Sequence, residues 1–88
     1  MEQTTVIVEN PNGIHLRPAA RIVNISKKYN SRILLSCKNC PFVDAGSITQ
    51  VLLLQAGRGT PVTVKAEGPD AKEAVREIAH FFTDGAGI

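Results

Sequence analysis

Residues 4–23, TTVIVENPNGIHLRPAARIV, contain two different spacings of apolar side chains on either side of a break. Over residues 4–9 apolar and polar side chains alternate, and a period of two residues is typical of a β-strand with one buried face. The segment NPNG that follows is typical of a turn. From Pro18 onward the apolar residues fall on one face of an α-helix, and proline is well placed in a first turn because its missing N–H would have no intrahelical partner there. The stretch therefore predicts a strand, a turn and a helix that begins at about Leu16 to Pro18.

The rest of the chain continues in segments of the same two kinds. The further predicted elements are strands over 31–37, 41–45 and 62–66, a short helix over 48–54 with Ser47 as its N-cap, and a last helix that Asp70 and Glu73 begin in the manner of a capping box. Alternating strands have one apolar face and each predicted helix has one apolar stripe, so both are buried when the helices cover one face of the sheet. We therefore predict an α+β fold in the order βαββαβα, an open-faced β-sandwich with four strands covered on one face by three helices.

The composition is typical of one small globular domain. The chain has 88 residues, of which 43% are hydrophobic and 20% charged, and half of it would be too short to bury a core, so we expect a single domain over residues 1–88. A net charge of +2 with one Tyr, three Phe and no Trp does not favour nucleic-acid binding. No apolar segment approaches the ~18 residues of a membrane span, and MEQTTVIVEN lacks the pattern of a signal peptide. We expect a cytoplasmic monomer without membrane insertion.

Cys37 and Cys40, the only cysteines in the sequence, form a CxxC pair. Such a pair is either half of a tetrahedral metal site or a redox pair, but no second pair of ligands exists, and His80 lies far along the chain in a predicted helix. We therefore expect no metal site and interpret the cysteines as two incidental thiols near a hairpin turn.

His15 and Arg17 stand close together where the first helix begins. The free N–H groups of a helix N-terminus favour an anion by roughly 0.3 to 1 kcal/mol, and the same field favours the neutral, nucleophilic form of an imidazole. A guanidinium has donors arranged to match phosphate oxygens. The pair suits a phosphoryl group held on a ring nitrogen, and since the sequence has neither a Walker loop nor an acidic Mg²⁺-binding cluster, another protein would supply that group. The alternative is an ordinary helix N-terminal histidine beside a solvated arginine.

Nearly the whole chain resembles one known family. The motif GIHLRPA, just after the first strand, matches that family's pattern of Gly, aliphatic, His, any residue, Arg, Pro and Ala, and GSITQVLLL and AEGPDAKEAV match two further blocks in the expected order. On these residues the chain resembles the histidine-containing phosphocarrier protein HPr family of the bacterial phosphoenolpyruvate-dependent sugar phosphotransferase system. The resemblance implies a four-stranded antiparallel sheet under three helices.

The resemblance also implies a function and the residues that perform it. His15 would accept a phosphoryl group on Nδ1 from enzyme I, which phosphoenolpyruvate charges, and would donate it to the enzyme IIA domain of a sugar permease. Arg17 would steady the phosphate, backbone N–H groups at Leu16 and Arg17 would complete the cradle, and Pro18 would fix the helix entry. Such a protein is a carrier rather than an enzyme and needs no cofactor. Leu16 replaces the usual alanine or threonine and Gln55 replaces a common glycine, which bears on partner choice rather than on the chemistry.

The second predicted helix, SITQVLLL, has more apolar residues than one buried stripe over two turns can hold. If Val51 and Leu54 point into the core, Ile48 and Leu52 form an exposed apolar patch, and such patches mark docking sites. In the HPr family this helix flanks the active histidine and is shared by successive partners, so the resemblance assigns Ile48, Thr49 and Leu52 to partner binding. A helix buried on both sides under loops is the alternative.

Ser47 matches the serine that HPr kinase/phosphorylase modifies in some bacteria, which makes it a candidate regulatory phosphorylation site. Helix capping alone also explains this serine, and Gly46 stands where the family often has lysine. A phosphate there would add charge to the apolar patch and repel acidic partners.

Two other functions stay open at the level of the sequence. A regulatory paralogue, of the nitrogen-branch or catabolite-control kind, would bind its targets according to its phosphorylation state, and an intact His15 does not exclude it. An RNA-binding α+β domain would need a basic, aromatic sheet face, whereas these strands offer mostly Val, Ile, Thr and Leu.

Overall fold

The computed structural model describes residues 1–9, 14, 16–37, 40–54 and 56–83. Over these residues the chain forms, in order, β1 (Glu2–Ile7), α1 (Leu16–Ser26), β2 (Arg32–Cys37), β3 (Val43–Asp44), α2 (Ile48–Leu53), β4 (Pro61–Glu67) and α3 (Ala71–Thr83). This order confirms the predicted βαββαβα arrangement. None of the helices in these ranges has the length and the apolar composition required to cross a membrane.

The described strands pair antiparallel in one sheet with the order β1-β4-β2-β3. β4 lies inside the sheet because β1 and β2 both pair with it, which places Val6 opposite Val62 and Leu35 opposite Val64. These four side chains are buried, whereas Thr5, which alternates with Val6, is exposed. The alternation read from the sequence therefore produces one apolar face, as predicted.

The helices pack against that apolar face. α3 contacts β1, β4 and β2, and α1 contacts both α2 and α3. The buried residues of α3 recur at helical spacing, Ala71, Ala74, Val75, Ile78 and Phe82, and those of α1 do likewise, Pro18, Ala19, Ile22 and Val23. The predicted open-faced β-sandwich with its helices on one face is confirmed.

β1 is displaced from its predicted bounds. It spans Glu2–Ile7 rather than 4–9, but Val8 is still buried. The backbone of Val8 bonds to the loop before β4: its N–H donates to the Thr60 carbonyl at 3.0 Å, and its carbonyl accepts from the Gly59 N–H at 2.7 Å. The alternating pattern thus continues beyond the paired strand, because these two hydrogen bonds hold Val8 in place after the β1–β4 pairing has ended.

The connection from β2 to β3 differs from the prediction in two ways. β3 comprises Val43–Asp44 instead of 41–45. Pro41 has no N–H to donate to a ladder, whereas the Ala45 N–H, just after β3, still donates to the Ile33 carbonyl at 2.9 Å. The interpretation of Cys37 and Cys40 as incidental thiols is also wrong, because the structure joins them in a disulfide. Their Cα atoms lie 5.2 Å apart, which is within the usual range for a disulfide.

The start of α3 differs from the predicted capping box. The Asp70 carboxylate accepts from the Asn30 backbone N–H at 2.9 Å and from the Ser31 hydroxyl, while Ser31 Oγ also accepts from the Asp70 N–H at 3.2 Å. The Ser31 contact, followed by the Asn30 contact, lowers the pKa of Asp70. Because β2 and β4 are neighbours, they bring these residues together, and the carboxylate joins α3 to the start of β2 instead of forming a box with Glu73.

Candidate functional site

The segment that enters α1 is anchored to the loop after α2. Ile14 is buried, and its backbone N–H donates to the Ala56 carbonyl oxygen at 2.9 Å. Shortly afterwards Leu16 opens α1 with 64% of its surface exposed. The chain therefore passes from the core to the surface at this point. His15 lies outside the described residues, so its predicted role stays a prediction.

The first turn of α1 presents positive charge to solvent. Arg17 is exposed and has no ion-pair or hydrogen-bond partner among the residues that the structure describes. The first turn has no acidic side chain, so no carboxylate of this turn competes for its unpaired N–H groups. Pro18 is buried and has the fixed φ that suits a first turn. An incoming anion would meet both the N–H groups and the guanidinium here.

α2 packs beside α1 and runs in the opposite direction. At one end, a Cβ atom built on Gly46, just before α2, would lie 3.7 Å from Oγ of Ser26, the last residue of α1. At the other end, Ala56 bonds to Ile14, just before α1. The end of α2 therefore lies beside the beginning of α1 and the predicted phosphoryl site.

The exposed side chains of α2 differ in part from the predicted set. Val51 and Leu54 are buried as expected, Ile48 is exposed by 37%, and Thr49 is exposed. Leu52, however, is half-buried and packs against the core, so its predicted exposure is wrong. The structure thus places two of the three predicted partner-binding residues at the surface.

Leu53 is the exposed leucine of α2, with 66% of its surface accessible to solvent. Successive residues of a helix are about 100° apart, so Leu52 and Leu53 lie at equal angles of about 130° on either side of the direction defined by Val51 and Leu54. Periodicity could not choose between the two leucines. Exposure depends on which side of α2 packs against its neighbours, and no signal in the local sequence reports that.

Ser47 caps α2 as predicted. Its backbone is extended, with φ −123° and ψ 117°, and its side chain accepts from the Gln50 N–H at 3.3 Å. Because α1 and α2 run in opposite directions, Ser47 lies beside the end of α1, about 15 Å along that helix from Leu16 at 1.5 Å per residue. The candidate regulatory serine is therefore at the other end of the helix pair from the predicted phosphoryl site.

The end of α1 is joined to α3 by a charged cluster. Lys28 Nζ lies 2.5 Å from Glu77 Oε2, and the Tyr29 hydroxyl donates to Oε1 of the same carboxylate. The Lys28 contact, followed by the Tyr29 contact, lowers the pKa of Glu77. The hydrogen bond to Glu77 raises the pKa of Tyr29 to about 12. The segments that flank α1 are thus held on both sides, by Ala56 before the helix and by Glu77 after it.

Comparisons relate this sequence to known proteins along its whole length. Residues 2–84 match the family described as PTS HPr component phosphorylation site. The phosphocarrier protein HPr of Buchnera aphidicola is 34% identical over 84 residues, which cover 96% of this chain and 98% of that protein. DhaM of Escherichia coli, the phosphoryl donor subunit of a PEP-dependent dihydroxyacetone kinase, is 37% identical over 82 residues, which cover 93% of this chain but only 17% of DhaM.

The fold also matches a solved structure. The crystal structure of HPr-C-His from Thermoanaerobacter tengcongensis superposes with a TM-score of 0.92 at 32% sequence identity. The match covers 100% of this chain and 98% of that one. Sequence and fold thus agree on the same relatives.

Proposed function

Because the chain belongs to the PTS-HPr family, we propose that it is a phosphoryl carrier that accepts a phosphoryl group on His15 and passes it to a second protein. The observation that carries this proposal is the first turn of α1, which has no acidic side chain, exposes Arg17 and follows a segment anchored through Ile14. HPr-type proteins carry the group and are not enzymes themselves. The phosphohistidine is then the intermediate between two partner enzymes.

The transfer exchanges one bond to phosphorus for another. A neutral ring nitrogen of His15 attacks the phosphorus atom of phosphorylated enzyme I, a P–N bond forms, and the donor leaves with the electron pair of the bond that breaks. The N–H groups of Leu16 and Arg17 and the Arg17 guanidinium would hold the phosphoryl oxygens, and Pro18 would fix the helix entry. The same steps in reverse deliver the group to the acceptor.

Labelling by enzyme I tests this mechanism. With enzyme I and labelled phosphoenolpyruvate, the wild type should acquire an acid-labile label and His15→Ala should acquire none. His80→Ala is the matched control, because His80 is the only other histidine and is exposed on α3. Arg17→Ala should slow labelling roughly 10- to 150-fold, since a hydrogen bond to a charged group contributes about 1.5 to 3 kcal/mol. Equal labelling of His15→Ala and wild type would contradict the proposal.

Partner enzymes would dock on exposed side chains at the beginning of α1 and along α2, whose end lies beside that turn. We define the docking surface as Leu16, Ile48, Thr49 and Leu53. Exposed apolar side chains next to a reactive residue suit successive partners, because each partner can bury them when it binds. Leu52, which packs against the core, would support this surface from beneath.

The acceptor would be either an enzyme IIA domain of a sugar permease or a dihydroxyacetone kinase. The match to the HPr of Buchnera aphidicola, which covers nearly all of both chains, favours the sugar branch, whereas the 37% identity to DhaM favours the kinase branch. Labelled protein offered separately to each acceptor should lose its label to one of them. A regulatory paralogue predicts a different result in a deletion strain, namely normal sugar uptake with altered gene expression.

Ser47 would be a regulatory phosphorylation site for HPr kinase. A phosphate on this hydroxyl would replace the cap contact to Gln50 and add negative charge beside Ile48 on the docking surface. Incubation with ATP and the kinase of the same organism should add the mass of one phosphate to the wild type and none to Ser47→Ala. An unchanged mass of the wild type would count against this role.

A further inference from the structure

The disulfide between Cys37 and Cys40 closes a turn that polar contacts also hold closed. The Cys40 N–H donates to the Cys37 carbonyl at 3.1 Å. The Ser36 hydroxyl lies 2.7 Å from the Cys40 carbonyl oxygen and 3.0 Å from the Cys37 carbonyl oxygen, and can donate to either. Because these contacts do not need the S–S bond, they keep the two sulfur atoms close together when that bond is broken. These contacts leave Cys37 and Cys40 positioned to form the bond again after it is broken.

Cys37 lies where the end of α2 meets the sheet. Its side chain packs against the core, and its Sγ lies 3.7 Å from the carbonyl oxygen of Leu54, the C-cap residue of α2. Ala56, shortly after Leu54, accepts the hydrogen bond from Ile14. A short series of contacts thus leads from Cys37 to the residue that precedes His15.

We propose that Cys37 and Cys40 are a reversible redox pair whose state adjusts the end of α2 and, through it, the segment that precedes His15. The redox pair itself stands on the geometry of the turn alone. Its effect on phosphoryl transfer rests in addition on the function proposed above.

Reduction proceeds by thiol–disulfide exchange with a dithiol reductant, either a small molecule or a protein of the thioredoxin class. A reductant thiolate attacks the sulfur of Cys40, since Cys37 is packed against the core, and a mixed disulfide forms as the Cys37 thiolate leaves and takes up a proton. The second reductant thiol then attacks the mixed disulfide and releases the Cys40 thiol. Two protein thiols form, and two reductant thiols become one disulfide, so electrons and protons balance.

The sulfur of Cys37 gains a hydrogen atom on reduction. In the disulfide it has none and cannot donate, although the Leu54 carbonyl belongs to the end of a helix, where carbonyl groups lack intrahelical partners. As a thiol, Cys37 is a weak donor at a distance of 3.7 Å from that oxygen. Reduction therefore adds a donor to the last turn of α2, next to the exposed Leu53 of the docking surface.

Amide NMR spectra of the oxidised and reduced protein test the coupling. Two titratable thiols should be present after dithiothreitol treatment and none before it, with a monomer by size-exclusion chromatography in both states. Reduction should shift the amide signals of Leu54, Ala56 and Ile14, and reoxidation should restore them. Shifts confined to the turn itself, or thiols that cannot be reoxidised, would overturn the proposal.

Two single variants separate the donor from the closure of the turn. Cys40→Ala keeps the thiol at position 37, so its signals at Leu54 and Ala56 should match those of the reduced wild type. Cys37→Ala has neither the disulfide nor the donor, so the same signals should differ from both wild-type states. If the two variants give identical signals at Leu54, the thiol of Cys37 does not act on α2 and the proposal is wrong.

The rate of phosphorylation by enzyme I tests whether the redox state affects phosphoryl transfer. The oxidised and reduced wild type should differ at least about twofold in initial rate, and the double variant Cys37→Ser/Cys40→Ser should not respond to the reductant. Equal rates in both states would overturn the coupling to transfer. If neither state is phosphorylated while the NMR shifts occur, the proposed function fails and the redox pair stands.

Discussion

Replacing Leu53 by glutamate separates partner docking from folding. Full burial of a leucine side chain contributes about 1.5 to 3 kcal/mol. Since 66% of Leu53 is exposed, a partner that covers it has about two thirds of this amount available, or about 1 to 2 kcal/mol. That range corresponds to roughly 5- to 30-fold in affinity. We therefore expect Leu53→Glu to raise the KM of enzyme I for this protein by that factor, with little change in kcat.

The assay is the initial rate of label transfer from enzyme I, measured over a range of carrier concentrations beside the thermal midpoint of each variant. Gln3→Glu is the matched control for charge, because it places the same side chain at an exposed position of β1. Leu53→Glu should leave the free energy of unfolding within about 0.5 kcal/mol of the wild type, as an exposed position allows. Leu52→Glu should instead lower it by about 2 kcal/mol or more, because its carboxylate would lie against the core.

Two results would refute this reasoning. An unchanged KM for Leu53→Glu in a stable protein would remove Leu53 from the docking surface. A loss of stability as large as that of Leu52→Glu would show that the two leucines do not differ in burial.

Three further changes test the packing that positions the site. The pKa of Tyr29 rises from 10.0 to about 12 on folding, so its contribution to stability is complete below pH 10 and is lost as the pH rises toward 12. After allowance for solvent screening, urea unfolding should show a loss of about 1 kcal/mol in the wild type and none in Tyr29→Phe. Equal alkaline losses in both proteins would speak against this role of Tyr29. Gly68→Ala should lower the free energy of unfolding by about 2 kcal/mol or more, since the φ of Gly68 is +148° and the new Cβ would lie 2.6 Å from the Cα of Ser31. Gly57→Ala, with open space around residue 57, should have little effect. Equal effects of the two substitutions would refute the argument. In thermal unfolding, Ser47→Ala should lower the stability by about 1 kcal/mol because it removes the cap hydrogen bond, and Ser47→Asn should retain most of that stability. An unchanged stability of Ser47→Ala would mean that the cap contributes nothing.

Local spacing was sufficient for the order of the elements and for most of the core. Val6 and Val8, or Ile78 and Phe82, are buried because alternation in a strand and recurrence in a helix place side chains on one face whatever lies elsewhere in the chain. Turn chemistry likewise predicted the cap at Ser47, since its bond spans only three residues.

Two of the features that sequence reasoning misplaced, the capping box and the exposed leucine of α2, depend on contacts between distant segments. Asp70 bonds to Asn30 and Ser31, which β2 and β4 bring beside it. Leu52 and Leu53 make equal angles with the buried direction of their helix, and the packing of α2 decides which one is exposed.

The sequence by itself determined that this is a βαββαβα domain of the HPr family, with a histidine and an arginine where the first helix begins, because those features require only neighbouring residues and a motif. The tertiary structure alone decided that the end of α2 lies beside that beginning, that Leu53 is exposed there, and that the sulfur of Cys37 lies against the carbonyl of Leu54, the C-cap residue of α2. These relations arise from the direction in which α1 and α2 pack and from the sheet order, which bring together residues that no local pattern connects.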